Sequence, residues 1–203
     1  MQIFKEIGPL KLHLQHKRKE GFLVGLVPTM GALHEGHLSL IHASKAVTDI
    51  TVCSLFVNPT QFNNPIDLEK YPRTPEKDIS LLESAGCDVL FAPETSMMYE
   101  RPGVIHFDFG QLDKVLEGKF RPGHFSGVAT VVSKLFHIVE PDQAFFGQKD
   151  YQQLQIVTRL GGGTEIQHPG SRRAHSAGAR RPRNVIEKSK AIGRRKEKSI
   201  SAQ

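Results

Sequence analysis

No stretch of about 18 apolar residues occurs in the 203-residue chain, so no membrane-spanning helix is expected. The opening segment, MQIFKEIGPLKLHLQHKRKEG, breaks its apolar positions with charge and offers no small-residue cleavage site, which argues against a secretory leader. Only two cysteines are present, Cys53 and Cys87, and they form no CxxC pair. Thiols so placed read as small buried hydrophobes in a reducing, cytoplasmic setting, not as a disulfide or a metal site. No internal repeat is visible. At 38% hydrophobic and 24% charged residues, the composition is that of a soluble protein, part of which is poor in core residues.

That deficit is local. Residues 161–203 hold eleven Lys or Arg against three Glu, with no aromatic residue, whereas the whole chain carries 27 basic and 21 acidic residues for a net +6. The first 160 residues are therefore slightly acidic, and the basic balance belongs to the end of the sequence. A segment of that composition cannot bury enough surface to offset the entropy of ordering it. A domain over residues 1–160 is expected, followed by a basic tail that is a remnant or disordered.

Within the first 160 residues, apolar runs at 22–28, 50–57, 88–92 and 143–147 read as buried strands. Amphipathic stretches at 37–48, 75–86, 125–139 and 150–160 separate or follow them as helices, with Val128, Val131, Val132, Leu135 and Val139 on one helical face. Alternating strands and helices predict an α/β fold with a mostly parallel sheet. Such sheets bind ligands at the carboxyl ends of their strands, where the polar motifs of this sequence fall.

The most informative motif is VPTMGALHEGHLSL at 27–40, a strand, a glycine-containing turn and a helix start. His34 and His37 flank Gly36 in an HxGH pattern. Backbone N–H groups at a helix start attract phosphate, and two imidazoles beside them add donors. A structural histidine pair is the plain alternative. A two-histidine metal site fits poorly, because no HExxH spacing and no nearby third ligand accompany the pair.

Four blocks in order, VPTMGALHEGHLSL, FVNPTQFNNPIDLEKYPRTPEKD, LEGKFRPGHFSGV and FFGQKDYQQLQIV, resemble the pantothenate synthetase family over residues 1 to about 160. The resemblance implies a Rossmann-like nucleotidyltransferase domain of the HxGH type. It also implies ATP-dependent joining of pantoate to β-alanine through a pantoyl adenylate, with Mg2+ and a homodimeric assembly. By the same resemblance His34, His37 and Lys149 are catalytic. Met30, Gly31, Ala32, Leu33, Glu35, Gly36, Gly147, Gln148, Asp150 and Arg183 join the two histidines and Lys149 in holding ATP. Pantoate is implied to meet Asn58, Gln61, Gln153 and Pro28, with Arg121 and His124 at the rim and Asp78 reaching magnesium through water. Other readings stand beside these. Turn chemistry accounts for Asn58-Pro59, a helix N-cap for Asp150, and a solvated basic turn for Arg121.

After Leu160 the resemblance breaks. The family's paired serines are replaced by Arg180, Arg181 and Pro182 ahead of Arg183-Asn184, and the proline lacks an N–H that could meet phosphate. A frameshifted or degenerated stretch would give such partial register. Two further classes therefore remain: an impaired pantoate-binding protein, and a less favoured nucleic-acid binder acting through the basic tail, whose lack of stacking residues would make that binding salt-sensitive and sequence-blind.

Overall fold

The computed structural model describes residues 1–100, 107–148, 150–160 and 165–167. Six parallel strands form one sheet: β1 Gln2–Phe4, β2 Val24–Thr29, β3 Ile50–Leu55, β4 Val89–Phe91, β5 Gln143–Phe145 and β6 Glu165–Gln167. Their spatial order is β1-β4-β3-β2-β5-β6. The chain thus runs from β2 outward through β3 to β4, then crosses to the far side of β2 for β5 and β6. The order reverses between β2 and β5, which is where a doubly wound sheet opens a crevice at its carboxyl ends.

Eight helices accompany the sheet among the described residues: α1 Ile7–Lys19, α2 Glu35–Lys45, α3 Pro65–Glu69, α4 Pro75–Ser84, α5 Thr95–Met98, α6 Glu117–Phe120, α7 His124–Val139 and α8 Tyr151–Leu160. One face of the sheet carries Val24, Leu26, Val52, Val89 and Phe91 against α1, α7 and α8, through Leu10, Leu14, Val128, Leu135 and Ile156. The other carries Val27, Cys53, Leu90 and Phe145 against α2 and α4, through Leu40, Ile41 and Leu82. Burying each such Leu, Phe or Val contributes about 1.5–3 kcal/mol, and covering both faces explains why the strands read as unbroken apolar runs.

The four expected strands and four expected helices are present, with ends shifted by a few residues. Six elements go beyond those expectations: β1, β6 and the helices α1, α3, α5 and α6. β1 is a three-residue edge strand, mostly exposed. The spacing of Ile7, Leu10 and Leu14 drives α1, but the charges between them obscure that stripe. β6 pairs with β5 from Glu165 to Gln167, so the sheet continues past Leu160. Two side chains of α1 also finish α7: Lys11 Nζ donates to the His137 carbonyl, and the Arg18 guanidinium to those of Val139 and Glu140. These carbonyls are otherwise left open by the left-handed Glu140 (φ +49°) at that helix end.

Pro28 lies inside β2, opposite Ser54 of β3. On its other side β2 pairs with β5 only through Gly25 and Leu26. The ladder has therefore ended before a residue with no N–H to offer it, and the strands part at the mouth of the crevice.

Candidate active site

Two structured loops rise from the carboxyl ends of β2 and β3. The loop after β2 turns sharply through two consecutive left-handed residues, Gly31 (φ +86°) and Ala32 (φ +52°). Glycine meets this conformation without penalty, whereas alanine needs its surroundings to hold it there. The hold comes from Asp78 of α4. Its Oδ2 accepts from the Ala32 amide at 3.0 Å, and its Oδ1 from the Leu33 amide at 2.8 Å and the Thr74 hydroxyl at 3.3 Å. The carboxyl is 2% exposed, and Leu33 plugs into the core beneath it.

The next residues build a cap from histidine. His34 is the N-cap of α2, and its Nδ1 accepts from the Gly36 amide at 3.0 Å. Reciprocally, His37 Nδ1 accepts from the His34 amide at 3.4 Å. The two rings lie 4.1 Å apart between centroids, tilted by 31°. A Cβ on Gly36 would sit 2.8 Å from His34 Cε1, so the glycine of HxGH is required by the imidazole folded over it. Because both Nδ1 atoms accept, each neutral ring carries its proton on Nε2 as a remaining donor. Burial pushes the His37 pKa below its ordinary value of 6.5, the neighbouring His34 pushes the same way, and Asp78 and Asp150 oppose them. His37 is thereby kept neutral at pH 7.

One expectation changes here. The amides of Gly31, Ala32, Leu33, His34 and Gly36 are taken up by Thr29 Oγ1, Asp78, His37 and His34, so the turn does not present them to a phosphate. The Asp78 role changes too. Both of its oxygens are committed to protein donors, and among the described residues no group of three or more His, Cys, Asp or Glu is placed to hold a metal. Asp78 thus supports the turn from below.

After β3, the 3₁₀ turn Pro59–Gln61 is held by Asn58, which is fully buried. Its Oδ1 accepts from the Thr60 amide at 3.3 Å, the Thr60 hydroxyl at 3.1 Å and the Tyr99 hydroxyl at 2.7 Å, while its Nδ2 donates to the Gly127 carbonyl at 3.0 Å. Helix α7 presses against the same turn. A Cβ on Gly127 would lie 2.3 Å from the Thr60 carbonyl oxygen, so only glycine permits the approach. His124, at 7% exposure, donates from Nδ1 to the Gln61 carbonyl at 2.8 Å. Gln61 itself is 6% exposed, and its side-chain amide takes no hydrogen-bond partner among the described residues.

Asn58 and His124, expected to face substrate, are thus engaged by the protein and orient the turn that carries Gln61. Arg121 is exposed and paired with Glu117 at 2.9 Å, one helical turn away, in keeping with the solvated-turn alternative. Pro28, Met30 and Gly147 are half-buried at the crevice, whereas Glu35, Gln148 and Asp150 are exposed. Asp150, just ahead of α8, is the smallest of the charges that act on His37, and it raises the His37 pKa. Gln153 is half-buried on α8. Its neighbour Gln152, absent from the sequence expectations, accepts from the Glu117 amide and donates to the Leu112 and Val115 carbonyls. It fastens the segment from Leu112 to Glu117 to α8; an apolar-free QQ pair gives no sign of which amide faces inward. Lys149 and Arg183 lie outside the described residues, as do 168–203.

The sequence profile of the pantoate-beta-alanine ligase family matches residues 2–169. The pantothenate synthetase of Porphyromonas gingivalis is 55% identical over 160 residues, covering 79% of this chain and 57% of that protein. That of Aquifex aeolicus is 52% identical over 158 residues, covering 78% and 56%. The crystal structure of pantoate-beta-alanine ligase from Francisella tularensis, complexed with beta-gamma ATP and beta-alanine, superposes with a TM-score of 0.80 at 39% identity, over 92% of this chain and 73% of that one. Pantothenate synthetase from Thermus thermophilus gives 0.77 at 40% identity, over 91% and 67%. The chain spans a little over half the length of the curated relatives it matches. Sequence and fold agree across most of the chain, and by that agreement it belongs to the pantoate–β-alanine ligase family.

Proposed function

We propose that this chain binds ATP and pantoate across the β2/β5 crevice and catalyses ATP-dependent condensation of pantoate with β-alanine. The observation that carries the reading is the pair of imidazoles, each fixed through Nδ1 and left with Nε2–H to give, at the start of α2 beside the strand-order reversal. A neutral imidazole N–H held by a helix cap is a preorganised donor for charge developing on phosphate oxygens, with no reorganisation needed at the moment of reaction. After β3, the buried amide of Gln61, with no partner among the described residues, offers both a donor and an acceptor, which suits a hydroxy acid.

In the first step a pantoate carboxylate oxygen bonds to the α-phosphorus of ATP while the bond to the bridging oxygen breaks, and pyrophosphate leaves with that electron pair. In the second, the β-alanine amine attacks the acyl carbon. The bond to AMP oxygen breaks, an amide forms, and the nitrogen releases a proton. Activation replaces oxide, a poor leaving group, by AMP. The proposed role of His34 and His37 is to stabilise phosphate charge in the first step, with Lys149 and Arg183 adding positive charge, and of Gln61 and Gln153 to orient pantoate. Magnesium is assigned to ATP as part of the substrate. A homodimer in the cytoplasm is the setting proposed with this activity.

The test is pantoate-dependent release of pyrophosphate from ATP, followed by AMP on adding β-alanine. Pyrophosphate released at the same rate without pantoate, or no binding of pantoate by calorimetry, would overturn the reading.

A further inference from the structure

The turn after β2 has the shape of an anion site, and an anion of the protein already fills it. Successive left-handed residues Gly31 and Ala32 direct consecutive amides, Ala32 N–H and Leu33 N–H, to one side, the arrangement by which backbone concavities capture phosphates and carboxylates. Here they converge on the two oxygens of Asp78 at 3.0 and 2.8 Å. Asp78 sits in the first turn of α4, where the helix end favours a negative charge, and Thr74 at the N-cap adds its hydroxyl. Space leaves little freedom, since a Cβ added to Gly31 would lie 3.2 Å from Asp78 Oδ2. Forty-five residues of sequence separate Leu33 from Asp78, so this contact ties α4 to the loop that delivers His34 to its cap position.

We propose that Asp78 is a positioning residue of the nucleotide site: its carboxylate occupies the concave turn at Gly31–Leu33, so that phosphate is met by the His34 and His37 imidazoles and not by the turn's amides. The proposal rests on the reading of this site as one for ATP, and it assigns Asp78 no contact with metal or substrate. Asp78 also acts on the rings around it. It raises the pKa of His37, opposing burial there, and it also raises that of Tyr71, where burial is the larger cause.

The experiment compares the parent chain with Asp78→Asn, which keeps the shape but replaces one acceptor by a donor. Hydrogen exchange at the Ala32 and Leu33 amides is read by NMR, with Val52 and Cys53 as core references. ATP affinity is measured by calorimetry in magnesium and again in EDTA. The expected result is exchange at least about tenfold faster at Ala32 or Leu33 with the references unchanged, and ATP affinity about tenfold weaker under both conditions, the scale for a displaced but intact site. Pantoate affinity should hold. A loss confined to the magnesium condition would make Asp78 a metal contact and overturn the proposal, as would unchanged exchange. A parent chain that binds no ATP would refute the nucleotide reading, while the exchange comparison would still decide whether Asp78 holds the turn. If Asp78→Asn exposes the references too, Thr74→Ala decides, since it removes only one donor to the carboxylate. The same local loosening in a smaller degree supports the role, and none overturns it.

Discussion

The loops after β2 and β3 solve one problem by opposite means. Both must hold an irregular backbone at the mouth of a buried sheet, where unpaired amides are costly. After β2 the holding groups are ionisable side chains: the Asp78 carboxylate and the Nδ1 atoms of two histidines. After β3 they are mostly neutral, namely the Asn58 amide, two hydroxyls, and a helix backbone pressed close by Gly127, with the His124 ring joining them at the Gln61 carbonyl. The difference suits what each loop is proposed to face. Beside a polyphosphate, imidazoles fixed through one nitrogen leave the other as a tuned donor. Beside a small hydroxy acid, a neutral frame orients the single Gln61 amide without adding charge.

Breaking the neutral frame should produce the largest effect. Asn58→Ala leaves the Gly127 carbonyl, the Thr60 amide and hydroxyl, and the Tyr99 hydroxyl without their common partner in a fully buried site. A loss of about 3 kcal/mol in stability is expected from denaturant unfolding, because stranded buried polar groups each cost about 1–3 kcal/mol. Pantoate binding should fall with it, since Gln61 loses its support. A variant as stable as the parent would show that the turn is held by packing alone.

On the ionisable side, His37→Ala should lower the rate of pantoate-dependent pyrophosphate release about 100-fold, the scale for one lost stabiliser of transition-state charge. Gln61→Ala should instead weaken pantoate binding by about 1–3 kcal/mol and leave ATP affinity nearly unchanged. Measuring both ligands on both variants by calorimetry sharpens the contrast. An ATP defect in Gln61→Ala, or a pantoate defect alone in His37→Ala, would merge the two loops into one site.

Acid should separate them as well. The folded-state pKa of His37 lies below its ordinary 6.5, so the folded protein binds fewer protons here than the unfolded chain. The cap's contribution to stability is therefore complete above about pH 6.5 and is lost as pH falls from there through the lowered value. Protonation places a hydrogen on His37 Nδ1, which can no longer accept from the His34 amide. ATP binding should weaken over that window while pantoate binding stays level, and a parallel decline of both would count against the assignment.

How much of this was legible in the sequence follows from the range of each interaction. Strands β2 to β5 could be read because parallel strands covered on both faces are runs of apolar residues, and α7 because its valines recur at helical spacing. The HxGH pair at a helix start was legible because its members lie three residues apart, but that the two rings take up each other's helix-start amides was not. For Asn58 the turn chemistry with Thr60 is legible locally, and the structure shows it, but the longer-range partners of Asn58 and Asp78 are not. Asp78 meets Leu33 across 45 residues, and Asn58 meets Gly127 across 69. Only the fold brings those donors and acceptors together. Gln152 and Gln153 show the same limit at close range, since two adjacent amides differ only in which side of α8 they occupy.

Arg121 offers the smallest expected effect and a control for the comparison. Its guanidinium is exposed and lies 2.9 Å from Glu117 on the neighbouring turn, a geometry worth about 0.3–0.5 kcal/mol when solvated. Arg121→Ala should therefore change stability by no more than about 0.5 kcal/mol, an effect that high salt removes. Pantoate affinity should hold, because Gln61 is supported from His124 and Asn58 and not from the arginine. A tenfold loss of pantoate affinity in this variant would show that Arg121 exchanges Glu117 for the substrate carboxylate on binding, and the loop after β3 would then face charge after all.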